Sequence, residues 1–269
     1  MYRDRAPRWL YILVAGSSLV AVLPLAWLLL LSLRNSQAIA ASSAGFTLSN
    51  YAAVLFQSMM PLYFLNTAIV AACTVAATLV CACLGAYAAS RYRFRGRETI
   101  LVVILAASMT PVIAILVPLY LYAASLHMLN TYRILVIVFT AWQLPGSLWL
   151  LRSFIDMVPV EVEEAALVDG CSRLGAFVRV VIPQILPGLL AVGLIVFVYV
   201  WNEFIIAVSM SSREDMRIAS VGLYFYISEF GIEWGHIAAA AILTLMPPAV
   251  AFLFVQRHLV NGLSAGALK

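Results

Sequence analysis

The chain has 269 residues, of which 64% are hydrophobic and 10% charged. A water-soluble globular domain is nearer half apolar and a quarter charged, so this composition leaves a bundle of membrane spans, each needing roughly 20 apolar residues to cross about 30 Å of hydrocarbon. The net charge of +4 sits in short loops between apolar runs, which speaks for a record of membrane topology and against a nucleic-acid partner.

Behind the basic head Arg3, Arg5 and Arg8, the first apolar run covers residues 9–33. Ala38-Ile39-Ala40 resembles a signal-cleavage site, but a signal core spans about 7–15 residues and this run is longer, so it reads as a retained anchor. The second span covers 65–89 and ends at Arg91-Tyr92-Arg93-Phe94-Arg95-Gly96-Arg97. The third covers 100–124 and, after a loop with His127 and Arg133, the fourth covers 134–151. A polar stretch, 152–181, precedes the fifth span at 185–209. A loop to His236 leads to the sixth, 237–255, and a tail to Lys269. These runs predict an all-α, polytopic membrane protein with six transmembrane helices, forming one transmembrane domain over 1–269. Its inner loop covers about 155–183 and its outer loop about 210–236.

Of the 16 Lys and Arg residues, only Arg34, Arg133, Arg213 and Arg217 fall on one side of this arrangement. The positive-inside rule therefore predicts a multi-pass protein of the inner membrane with both termini cytoplasmic. The arginine loop at 91–97 is read as a topology determinant, with a lipid-headgroup contact as a further reading. Pro24, Pro111, Pro118, Pro145, Pro247 and Pro248 lie inside spans, where neighbouring helices or a cavity must replace the lost backbone bonds.

Lys269 is the single lysine, and no Ser or Thr follows it, so a G-x-x-x-x-G-K-[ST] phosphate loop is ruled out. His127, His236 and His258 form no H-E-x-x-H, and of the four cysteines (Cys73, Cys81, Cys83 and Cys171) the first three lie in one apolar run without metal-ligand partners. Neither a metal site nor catalytic residues are expected, and the cysteines read as small packing residues. Glu203 is the one acid within an apolar run, a poor basis for an ion-coupled pump. Energy for any transport is expected from another subunit.

The polar stretch contains Glu164-Ala165-Ala166, then Gly170 four residues on, then Val180-Val181-Ile182-Pro183. This resembles the EAA loop of ABC-importer permeases, with Val180 and Ile182 in place of the family's Ile and Leu. Alanines favour helix and allow close approach, Asp169-Gly170 supplies a turn open to positive φ, and Ser172 is a natural N-cap for a second helix to Val181. An amphipathic loop lying on the membrane is the competing reading. Trp201-Asn202-Glu203-Phe204 looks like the W-N-[DE]-x signature of sugar-importer permeases. The tail from Gln256 to Lys269 resembles the Q-R-x-x-x-x-G-L-[ST]-x-G-A-[VL]-K ending of the same group. Asn66-Thr67 stands where the family often has Asn-Ser.

The resemblance implies a type I ABC-importer permease fold of the maltose and glycerol-phosphate kind, in the role of the second permease subunit. It implies a second permease, an ATPase dimer, an extracytoplasmic binding protein, membrane lipid and a sugar as partners. It also implies that ATP and Mg are bound by the ATPase and not by this chain. Glu164, Ala165, Ala166, Asp169, Gly170 and Pro183 would couple to the ATPase, and Gly262, Gly266 and Lys269 in the tail would touch it. Tyr199, Asn202 and Glu203 are pathway candidates; packing for Tyr199 and capping for the other two remain open. Tyr224, Phe225 and Tyr226 are candidate contacts for the binding protein, or else anchors in the membrane interface. A secondary transporter or channel, and a membrane enzyme, are the other classes considered.

Overall fold

A computed structural model of the protein describes residues 8–34, 45–229 and 234–266, the side chains of 8, 225–229 and 258–266 excepted. The helices among them are, in chain order, α1 (Arg8–Ser32), α2 (Ser49–Phe56), α3 (Met60–Arg91), α4 (Arg97–Ser108), α5 (Val112–Ser125), α6 (Tyr132–Asp156) and α7 (Val160–Val168). There follow α8 (Arg173–Gln184), π-helical over Phe177–Val181, then α9 (Leu186–Asn202), α10 (Ile205–Met210), α11 (Ala219–Glu229) and α12 (Trp234–Gly266). Extended pairing among the described residues is limited to an antiparallel bridge between Arg34 and Phe46.

Helices α1, α3, α6 and α12 are each long and apolar enough to cross a membrane. Two bent pairs, α4 with α5 and α8 with α9, bring the number to six if each pair is one span. The third span, expected as one run over 100–124, turns by 91° between α4 and α5. Pro111 is the cause: it lacks an N–H, disfavours helix at Thr110, and caps α5 with φ −60° and ψ 128°.

The fifth span, expected as one run over 185–209, is also broken. The chain bends by 76° between α8 and α9, and Glu203 is extended, with φ −69° and ψ 129°, between α9 and α10. Pro145, by contrast, lies inside a continuous α6, and Pro247 and Pro248 inside α12.

The chain divides into two compact units. In the unit formed by 62–221 and 247–269, α9 and α4 pack on α6, and α10 packs on α5 and α6. Val192, Val196 and Val200, one per turn of α9, are buried, as are Leu135, Phe139, Leu151 and Ile155 of α6. Helix α3 contributes the small residues Ala71, Ala82 and Ala86. In lipid no hydrophobic gain drives helices together, so close van der Waals contact between small side chains does. Gly188 marks the tightest approach: a β-carbon there would lie 2.4 Å from the Phe154 ring.

In the unit formed by 1–61 and 222–246, α1 is apolar all round and exposed short of its last turn. Its end is tied down by buried Asn50, whose Nδ2 donates to the carbonyls of Ser32 (2.7 Å) and Arg34 (2.8 Å). Ser32 Oγ and Tyr51 Oη share a hydrogen bond of 2.6 Å. Gly235, at the start of α12, fits this knot because a β-carbon would come within 2.8 Å of the Arg34 carbonyl.

Candidate functional site

The hairpin over 160–184 is built by local rules. Pro159, with φ −60° and ψ 137°, sets the start of α7. At its end Cys171 N–H donates to the Ala166 carbonyl (3.0 Å) and Gly170 N–H to the Leu167 carbonyl (3.1 Å). Gly170 has φ +89°. This is a Schellman ending, in which a left-handed residue lets the last carbonyls of the helix find donors. Ser172 then caps α8, its Oγ accepting from Gly175 N–H at 3.1 Å. The turn and cap expected from Asp169-Gly170 and Ser172 are thus present.

The two adjacent glutamates differ in burial. Glu163 is 5% exposed, whereas Glu164 is on the surface with Ala165, Asp169 and Gly170. Ala166 is half-buried, and Pro183 is exposed in the last turn of α8. Large apolar side chains are exposed as well: Val168 (88%) and Val162 on α7, and Leu174 (66%) and Val178 on α8, where the last two line an apolar groove with residues of α3 and α9.

Glu163 is held from α3. Arg91 Nε donates to its Oε1 at 2.5 Å and Tyr87 Oη donates to its Oε2 at 2.9 Å. Arg91 Nη2 also donates to the carbonyls of Val158 (2.8 Å) and Ile155 (3.2 Å), at the end of α6. The Tyr87 ring lies 4.5 Å from that of Phe177 in α8. Beside these groups is a polar cavity of about 440 Å³, which Arg93, Arg97, Glu164 and Arg173 also line. Arg91, Tyr87 and Glu163 were not among the expected site residues. The usable signal was the spacing of Tyr87 and Arg91, four apart and so on one helix face.

At the break in the fifth span, the Glu203 carboxylate accepts from the N–H groups of Ile206 (2.9 Å) and Ala207 (3.0 Å). It therefore caps α10. Asn202 is exposed, its Nδ2 donating to the Val198 carbonyl at 2.8 Å. Tyr199 is half-buried, edge-on to Phe139 at 6.3 Å.

Asn66, fully buried, fixes the start of the 210–236 stretch. Its Nδ2 donates to the carbonyls of Asp215 (2.9 Å) and Arg217 (2.8 Å), and its Oδ1 accepts from Tyr132 Oη at 2.7 Å. Thr67 Oγ1 accepts from Ala219 N–H at 2.8 Å. Tyr224 is exposed on α11. Phe225 and Tyr226 belong to the same helix, but their side chains lie outside the described residues; Gly262 and Gly266 fall in the last turns of α12. Lys269, Ala38-Ile39-Ala40 and the loop residues Phe230 to Glu233 lie outside them entirely.

Residues 81–265 match the family described as binding-protein-dependent transport system inner membrane component. The sulfoquinovosyl glycerol transport system permease protein SmoH of Agrobacterium fabrum is 34% identical over 95% of this chain and 92% of that protein. The trehalose/maltose transport system permease protein MalG of Thermococcus litoralis is 33% identical over 96% of each. In three dimensions the chain is similar to a chain of a bacterial ABC transporter involved in the import of the polysaccharide alginate. The TM-score is 0.82 at 22% identity, covering 96% of this chain and 99% of that one.

Proposed function

This chain belongs to the family of binding-protein-dependent transport system inner membrane components, and we propose that it is one of two permease subunits lining the path of an ATP-driven importer for a sugar or sugar derivative. The sugar class is supported by relatives named for sulfoquinovosyl glycerol, for trehalose and maltose, and for diacetylchitobiose. A separate ATPase binds ATP and Mg and does the hydrolysis, since this chain has no phosphate-loop lysine. A binding protein delivers the sugar from outside.

The observation that carries the reading is the outward face of the 160–184 hairpin. Glu164, Ala165, Asp169 and Gly170 are exposed there with Val162 and Val168 of the same helix. Apolar side chains grouped on a surface rimmed by charge suit a protein contact, and small residues let a partner approach. The ATPase docks here, and movement of the hairpin switches the spans between inward-open and outward-open states. Each state is populated according to how strongly ATP favours it. The hairpin and both termini are cytoplasmic, and the tail with Gly262, Gly266 and Lys269 reaches the same ATPase.

The sugar path runs past the break between α9 and α10. Non-helical backbone at membrane depth is tolerated where it is buried in protein or faces a watery cavity. Exposed Asn202 offers hydrogen bonds there, with Tyr199 one turn away and Glu203 holding the break in shape. On the outer side, Tyr224, Phe225 and Tyr226 contact the binding protein.

Purification through a tag on this chain tests the core of the proposal. A second permease and an ATPase should co-elute, and the reconstituted complex should import a sugar only with its binding protein and ATP. Uptake by this chain without an ATPase would overturn the proposal.

A further inference from the structure

The end of α3 grips both helices of the 160–184 hairpin. Among the residues of α7, Glu163 is the buried one, and it is buried as an ion pair with Arg91. An ion pair taken out of water is costly to keep unless hydrogen bonds satisfy the groups that remain. Here they do. Glu163 accepts from both Arg91 and Tyr87, and Arg91 also donates to Ser90 Oγ and to the Ile155 and Val158 carbonyls. Arg97 pairs with Glu98, and Arg173 lies over the Tyr92 ring, so neither competes for Glu163.

The directionality of these bonds matters more than their strength. Apolar side chains in contact slide past one another at little cost. A carboxylate held by a guanidinium on one oxygen and a phenol on the other does not, because a shift of about 1 Å breaks both bonds and strands a buried charge. The same Tyr87 ring rests on Phe177, so α8 is registered by the side chain that registers α7. The two carbonyls held by Arg91 bring in the end of α6.

We infer that Tyr87, Arg91 and Glu163 form a latch that makes α7, α8 and the adjoining ends of α3 and α6 move as one body, so that force on the hairpin reaches the spans undissipated. The purpose of the latch rests on the coupling role proposed above; its rigidity does not. These are positioning residues, and none of them meets the transported molecule.

The test measures distance between spin labels at Glu161, exposed in the first turn of α7, and Val80, on an exposed face of α3. Both are introduced as cysteines into an otherwise cysteine-free chain, in the assembled complex in nanodiscs, with and without MgATP. One narrow distance is expected, the same in both conditions. Glu163→Gln and Arg91→Met should each broaden the distribution by about twofold or more, as a lost buried bond frees the helix. Tyr87→Phe, which keeps the ion pair, should broaden it less.

The double variant Arg91→Met with Glu163→Leu separates positioning from stability, since replacing a buried pair by apolar groups often leaves a protein as stable or more so. It should insert and melt no lower than either single variant, with no charge left unpaired, yet show the broad distribution. It carries the test if the single variants fail to insert. A narrow distribution in the double variant would overturn the latch, and so would a shift of the unmutated pair on adding MgATP. If no ATPase co-purifies, the coupling role falls, while the widths without nucleotide still judge the latch.

Discussion

At Gly170 the backbone has φ +89°, and a β-carbon would meet nothing within 4 Å. At Gly188 a β-carbon would lie 2.4 Å from the Phe154 ring. Valine is therefore excluded from the two positions for different reasons. Gly170→Val forces a β-branched residue into the left-handed region, at about 1–3 kcal/mol, and loosens only the turn. The chain should still insert and assemble, but ATP hydrolysed per sugar imported should rise several-fold; an unchanged ratio would remove Gly170 from coupling. Gly188→Val overpacks the contact between α9 and α6, at about 1–3 kcal/mol, and should lower thermal stability in detergent while leaving that ratio alone. Asn66 is a third case, legible in sequence only as a family likeness. Asn66→Ala deprives the Asp215 and Arg217 carbonyls and the Tyr132 hydroxyl of partners, at about 1–3 kcal/mol, so protease should cut near Arg217 faster than in the unmutated protein.

The fifth span is broken where its hydropathy gives no warning. Residues 185–209 read as one apolar run, yet extended Glu203 separates α9 from α10. An acid that caps a following helix and an acid that lines a path look alike in sequence, because both are single polar residues in an apolar stretch. The fold gives Glu203 the cap, with two N–H groups at 2.9 and 3.0 Å, and leaves neighbouring Asn202 exposed. Glu203→Ala should free the first turn of α10, at about 1 kcal/mol, and speed amide exchange at Ile206 and Ala207. Cysteine at 202 should react with aqueous thiol reagents in the outward-open complex, and cysteine at 199 more slowly because its site is half-covered by Phe139. Protection of both in every state would place this stretch in packing and move the path elsewhere. The bend between α4 and α5 differs in kind, since Pro111 announces it.

At the level of the whole chain, the arginine asymmetry and the proposed docking face lead to one expectation about sidedness. Reporter fusions at Ser43 and Arg95 should give opposite signals, outside and inside; identical signals would defeat the proposed topology. The exposure of α1 on nearly all sides suits a span that meets lipid or another subunit, in line with the proposed pairing of two permeases. Tyr224 is exposed on α11, and replacing Tyr224 and Tyr226 by alanine should weaken stimulation of ATP hydrolysis by the binding protein while basal hydrolysis stays unchanged. Undiminished stimulation would assign these aromatics to the membrane interface.

Some of this architecture was legible in the residue string because it depends on local chemistry alone. Membrane class follows from apolar length, the hairpin turn from Gly170, and the start of α8 from the Ser172 hydroxyl. Those features need only neighbouring residues to act. Tertiary structure alone decided which of two consecutive glutamates is buried, because Arg91 is 72 residues away from Glu163 and nothing in their spacing says that they meet. It also decided that Asn66 reaches Asp215 and Arg217, 149 and 151 residues on, and that Glu203 caps a helix inside a span. A polar group in an apolar setting must find a partner, and sequence shows the need; only the packed helices show where the partner lies.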